Sequence, residues 1–163
     1  MSHPRDEVEA AVVAYIATRD RIGAGDGEWA DLAPHFTDDA VFVDPAWGRC
    51  EGLAEMRETV FGPAMAGLEG WTFPTDFYLI DGDVAVVKWR QVIPGTDGHD
   101  HVQSGISTMI YAGDGRFRYA EDLLNMTHVM EGIVASGYQP PDGKPWPTPP
   151  PDPDRDFSIP GDR

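Results

Sequence analysis

The chain has 163 residues, with 12 Lys and Arg set against 28 Asp and Glu, a formal net charge of −16 and a pI near 4.4. That length suits one domain with one core, and so acidic a surface repels phosphate, which argues against a nucleic-acid partner. No apolar run approaches the roughly 20 residues that cross a bilayer, so no membrane association is expected.

The N-terminus, MSHPRDEVEA, lacks an apolar secretory segment, and a single cysteine, Cys50, excludes an internal disulfide framework. Both features give a cytoplasmic location as the expectation. DEVEAAVVAYIATRDRI carries Val8, Ala11, Val12, Tyr15 and Ile16 at helical spacing, with acids at its start, and predicts a helix closed by GAGDG. EWADLAPHF predicts a second, short helix. DDAVFVDP predicts a strand stopped at Pro45, and WGRCEG a loop in which Cys50 is an unreactive thiol. EGLAEMRETVFGPAMAG predicts a third helix, with Leu53, Met56, Val60 and Phe61 on one side.

Four strands follow. WTFPTDFYLID and DVAVVKWRQVIP are joined by a hairpin at Gly82, and HVQSGISTMIYAG and GRFRYAEDLLNM by a second one through AGDG. THVMEGIVASG predicts a last helix, with Thr127 as its N-cap and Gly137 as its stop. The order predicts an α+β fold: helices on the concave face of a curved antiparallel sheet, enclosing an apolar pocket for a small molecule. The domain is expected over residues 1–138. From Gln139 prolines dominate, so residues 139–163 are expected as an extended tail, anchored by Trp146, Phe157 and Ile159 on the domain or on a neighbouring subunit.

The sharpest chemical feature is the adjacent pair Glu121 and Asp122 on the last strand. Side chains alternate across a strand, so only one of the two can face the pocket. An inward carboxyl has a raised pKa and can carry a proton at neutral pH; an outward one is a solvated surface group. Asp44 precedes Pro45, where a carboxylate either caps turn amides or serves a site. Tyr15 on its helix is either core or a pocket hydroxyl. His99 and His101 in GHDHVQ lack a third ligand at suitable spacing, so no metal is expected; His101 could act as acid or base, with Gln103 and Ser107 sharing its strand parity. Trp89, Gln91, Met109, Tyr111, Trp47 and Trp71 are candidate pocket walls. No phosphate-binding glycine loop, Gly-x-Ser-x-Gly elbow or His-Glu-x-x-His occurs, so no cofactor is expected.

The order of elements over residues 5–138, with PHFTDDAVFVDP and YAGDGRFRYAEDLLNM, resembles the nuclear transport factor 2-like superfamily. The SnoaL-like branch, whose relatives include ketosteroid isomerases and limonene-epoxide hydrolases, is the most similar. The resemblance implies a cone-shaped fold around an apolar pocket. It places Asp44 where ketosteroid isomerases carry their general base, and Tyr15 where they carry an oxyanion tyrosine. Their second oxyanion group falls at Ser107, a departure. It places Asp122 at the last-strand aspartate of SnoaL-type cyclases and epoxide hydrolases, while the hydrolases' Arg-x-Asp pair falls at Trp89 and Gln91, a second departure. The resemblance thus implies a cofactor-independent enzyme in which Asp122 moves a proton on a small apolar, carbonyl-bearing, aromatic or polycyclic substrate, helped by Asp44, Tyr15 or His101. Trp89, Gln91, Ser107, Met109, Trp47 and Gln103 are its substrate-binding expectations. It also implies a homodimer through the open sheet. A non-catalytic ligand-binding or oligomer-building module on the same fold is the alternative.

Overall fold

The computed structural model describes residues 2–161. Helix α1, Arg5–Gly23, buries Val8, Ala11, Val12, Tyr15, Thr18 and Arg19 along one stripe, with Asp6 and Glu7 in its first turn and Arg21 in its last, as the helix dipole favours. The expected second helix is a 3-10 stretch, Trp29–His35. Pro34 inside it lacks the N–H that a regular helix would use.

Strand β1, Phe36–Asp44, runs to the expected Pro45 stop and pairs antiparallel with β2, Gly48–Glu51. WGRCEG therefore holds a strand and not a loop; Cys50 is buried opposite Phe42. A four-residue strand with glycine and charge carries too little alternation to be read from sequence. The third expected helix is also shortened. Helix α2 spans only Leu53–Glu58, and a 3-10 turn at Pro63–Met65 follows, because the residue before a proline is driven out of helical conformation.

The remaining strands are β3 (Thr75–Asp81), β4 (Val84–Pro94), β5 (Asp100–Gly113) and β6 (Arg116–Leu124), followed by α3, Met126–Ser136. The N-cap of α3 is Asn125 and not Thr127: its side chain accepts from the His128 amide at 3.3 Å. Gly137 ends the helix as expected.

Together the strands form one curved, unclosed sheet in the order β2-β1-β6-β5-β4-β3. Every pairing is antiparallel except β1 with β6, which run parallel because helices and two hairpins separate them in the chain. The main core, with Phe36, Phe61, Phe117, Tyr111 and Met56, lies between the concave face and the helices. On the outer face Val41, Val43, Ile110 and Tyr119 form a second cluster. No helix among the described residues is long and apolar enough to cross a membrane.

After α3 the chain is extended and wraps the domain. Trp146 packs against the main core and Ile159 against the outer cluster, but Phe157 is 69% exposed, so it does not anchor the tail on its own domain. Its carbonyl accepts from the Tyr119 hydroxyl instead, at 2.9 Å. Between these points the tail crosses the sheet edge, where the Arg49 amide donates to the Asp154 carbonyl at 2.9 Å. Gly48, at φ +78°, permits that approach, since a Cβ there would lie 2.4 Å from the Asp154 oxygen. An edge strand that would otherwise offer free amides is thereby closed.

Candidate active site

Helix α1, β1, β4 and β6 converge on an inner chamber of about 80 Å³, walled by Tyr15, Arg19, Phe42, Asp44, Phe61, Trp89, Gln91 and Asp122 among others. Asp44, Met65, Leu68, Gln91 and Leu124 also border an outer cavity of about 400 Å³, which Trp47, Trp71, Met126, Met130, Trp146 and Pro147 complete. A third hollow, of about 560 Å³, meets the inner chamber at Trp29, Phe61 and Leu68.

Strand alternation separates the acid pair. Glu121 faces outward beside Tyr119, whose hydroxyl donates to it at 3.2 Å, and Asp122 faces the chamber. The Ser107 hydroxyl, opposite it on β5, donates to Asp122 Oδ1 at 2.5 Å. Ser107 in turn accepts from the Trp89 indole N–H at 2.8 Å. An indole N–H can only donate, so the serine's own proton is the one turned to Asp122. Oδ1 is thus held as an acceptor, and the exchangeable proton belongs on Oδ2. Burial pushes the Asp122 pKa up from 3.8 to about 7; the Ser107 bond and the Arg19 charge oppose that, and the Asp44 charge adds to it.

Asp44 caps a turn and also lines the chamber. Oδ1 accepts from the amides of Ala46 and Trp47, at 2.7 and 2.9 Å, which makes the turn into β2. The same carboxyl lines both cavities. Burial raises its pKa against the pull of the two amides and of Arg155. No hydrogen bond joins Asp44 to Asp122 among the described residues, so the two acids are coupled only by charge.

Tyr15 is buried in edge-on contact with His35, Phe36 and Phe117, and its ring borders the chamber. Burial first, and then the Asp122 charge, push its hydroxyl above the ordinary tyrosine range, so it stays a donor. Behind the wall the Gln91 amide donates to Gln103 Oε1 at 3.0 Å, which fixes the Gln91 side chain.

Two expected residues lie elsewhere. His101 has the right parity, but it sits six residues along β5 from Ser107, roughly 20 Å away at strand rise. Its Nε2 lies 3.5 Å from Asp97 Oδ2, outside both cavities. Met109 is fully buried core, not wall. Ser107 and Gln103 stand one layer back and act through Asp122 and Gln91. Arg19 was missed altogether. The available signal was its place at the end of the Val8, Val12, Tyr15 stripe, where a cation interrupts an otherwise apolar face.

The family model described as a SnoaL-like domain matches residues 12–120, two thirds of the chain. The chain belongs to that family. Solved structures similar to this SnoaL-like protein include a putative SnoaL-like polyketide cyclase from Jannaschia sp. CCS1, 18% identical, with 83% of this chain and 98% of that one covered and a TM-score of 0.63. TerC, co-crystallised with polyporic acid, is 20% identical over 78% of this chain and 98% of that one, at a TM-score of 0.60. An epoxide hydrolase of limonene-epoxide hydrolase-like type from M. tuberculosis is 17% identical over 80% and 92%, also at 0.60. At such identities the likeness is one of fold; the SnoaL-like family model, together with that fold, supports the nuclear transport factor 2-like superfamily. No curated protein matches the sequence.

In this SnoaL-like domain the relay to Asp122 depends on a missing side chain. Gly105 lies opposite Trp89 across β4 and β5, and a Cβ there would stand 2.6 Å from three indole carbons. Gly105→Ala is therefore expected to displace the indole and lower stability by about 1–2 kcal/mol in a urea melt. A variant as stable as the wild type would show that the indole does not depend on this close seat.

Proposed function

We propose that the protein is a cofactor-independent acid–base enzyme acting on a small apolar substrate, with Asp122 as the group that moves the proton. One observation carries the reading. A carboxyl oriented by Ser107 opens into a chamber walled largely by apolar side chains, poised at about 7, so both of its forms are present near neutral pH. Asp44 raises the proton affinity of that carboxyl, and Tyr15 offers a second donor from the opposite wall.

The solved neighbours carry names from small-molecule chemistry: a putative polyketide cyclase, a putative hydroxylase and an epoxide hydrolase. They support the class of chemistry and leave the reaction to be chosen by the residues present. Trp89 and Gln91 offer neither an arginine nor an aspartate beside Asp122, which disfavours epoxide opening by that pair. Proton transfer at a carbon next to a carbonyl asks only for what the chamber contains. It is the first step of enol-type isomerisation, of dehydration and of aldol cyclisation alike.

The test needs no named substrate. Apolar ketones of one to three rings are incubated with the protein in D2O, and incorporation at the carbonyl-adjacent position is followed by mass spectrometry. Exchange is expected to rise with pH through a midpoint near 7, as the Asp122 carboxylate forms. A rate flat across that range would overturn the assignment.

A second copy of the chain is the proposed partner. Phe77, Leu79, Ile106 and Leu123 lie 54%, 64%, 39% and 57% exposed on the outer sheet face, and a facing copy would cover them.

A further inference from the structure

The chamber contains one charge that the acid–base reading leaves unused. Arg19 is only 4% exposed and lines the chamber, yet just one of its three guanidinium nitrogens is engaged. Nη2 donates to Thr75 Oγ1 at 3.0 Å. Nε is buried without a partner, and Nη1 makes no hydrogen bond among the described residues. Nor does any described carboxylate form an ion pair with it. The guanidinium carbon stands 5.1 Å from the Trp89 ring centre and 5.9 Å from that of Tyr15. Both rings lie within cation–π reach, and the unengaged N–H groups are what remain for a ligand.

A buried cation that lacks an anion is an expensive arrangement, tolerated where an anion arrives. Asp122 is near enough for the two charges to interact, but no bond joins them, and both line the chamber. We propose that Arg19 holds the oxygen that becomes negative when Asp122 takes a proton, and that the substrate is therefore a neutral enolisable ketone or its phenolic analogue. Its oxygen enters the inner chamber and its apolar body lies in the outer cavity among Trp47, Trp71 and Trp146. This rests on Asp122 being the base.

The charges balance without any further reagent. In the resting site the Asp122 carboxylate and the Arg19 guanidinium sum to zero. The substrate C–H bond breaks, its proton goes to Asp122 Oδ2, and the electron pair moves onto the carbonyl oxygen as an enolate. Asp122 is then neutral and the enolate faces Arg19, so the step leaves the net charge of the chamber unchanged. The reverse transfer to another carbon gives an isomer, and attack of the enolate carbon on a second carbonyl gives a ring. Tyr15, which lines the same chamber, keeps its proton throughout.

The probe is 4-nitrophenol, whose phenolate alone absorbs in the visible, with nitrobenzene as its neutral counterpart. Below the probe's own midpoint, the full-length protein is expected to bind it as the phenolate. Arg19→Met should weaken phenolate binding about 10- to 100-fold, the loss of a charge-assisted bond, with nitrobenzene binding unchanged. Arg19→Lys, which keeps the charge, should stay within about 10-fold of the wild type. An undiminished phenolate band in Arg19→Met would overturn the proposal. So would equal loss of phenolate and nitrobenzene in both variants, since Arg19 would then serve structure alone. The exchange assay separates the two readings. Phenolate binding through Arg19 without any exchange would leave Arg19 standing and sink the role of Asp122; exchange undiminished in Arg19→Met would do the reverse.

Discussion

Asp122→Asn is expected to slow hydrogen exchange of bound ketones by about 10²- to 10⁴-fold, the usual worth of a positioned acid or base. The same change should make the protein more stable above neutral pH. In the unfolded chain this carboxyl ionises near 3.8, and in the fold near 7. Below the lower value both states hold the proton, and the group costs nothing. As the pH rises between the two values the unfolded chain gives up its proton while the folded one retains it, so stability falls through that window. The whole interval corresponds to about 4 kcal/mol. Asn carries no such proton. Urea melts of both proteins between about pH 4 and about pH 8 should therefore diverge as the pH rises, with the variant ahead. A pair of stability profiles that stay parallel would mean that Asp122 titrates as an ordinary surface acid, and the functional reading would go with it.

The second large effect concerns the tail. Truncation before Gln139 removes Trp146, Pro147 and Pro149 from the outer cavity, and Ile159 from the outer cluster. It also removes the carbonyl partners of the Arg49 amide, of the Arg49 and Arg118 side chains, and of the Tyr119 hydroxyl. Two half-buried apolar side chains and several hydrogen bonds are set against the ordering of the segment, an entropy that its prolines keep small. A net loss of about 3 kcal/mol is expected in a urea melt. Light scattering should show larger species, because the bare β2 edge and the uncovered Val41, Val43 and Ile110 invite association. A truncated chain with unchanged stability and particle size would reduce the tail to an ornament.

Much of the architecture was legible in advance, for reasons of periodicity. The stripe Val8, Val12, Tyr15 marked α1, and AGDG and the turn at Gly82 marked the two hairpins, so the meander and the α+β class followed. Where the expectations failed, local signal was weak or misleading. Apolar spacing ran on through Val60 and Phe61, but Gly62-Pro63 broke the helix. A four-residue β2 had no room to show alternation. Asn125 took the cap from Thr127, because the first turn began two residues sooner.

For the site, the sequence by itself determined that Glu121 and Asp122 must face opposite ways, since strand alternation is a property of the backbone alone. It also placed Asp44 at a turn and Tyr15 on a buried helix face. Only the tertiary structure decided which acid turned inward, because that depends on which face of β6 the helices cover. Distance along a strand and packing across the sheet are likewise invisible to parity. That is why His101, on the correct face, lies beyond the chamber, and why Arg19, about a hundred residues from Asp122 in the sequence, comes to line the same chamber.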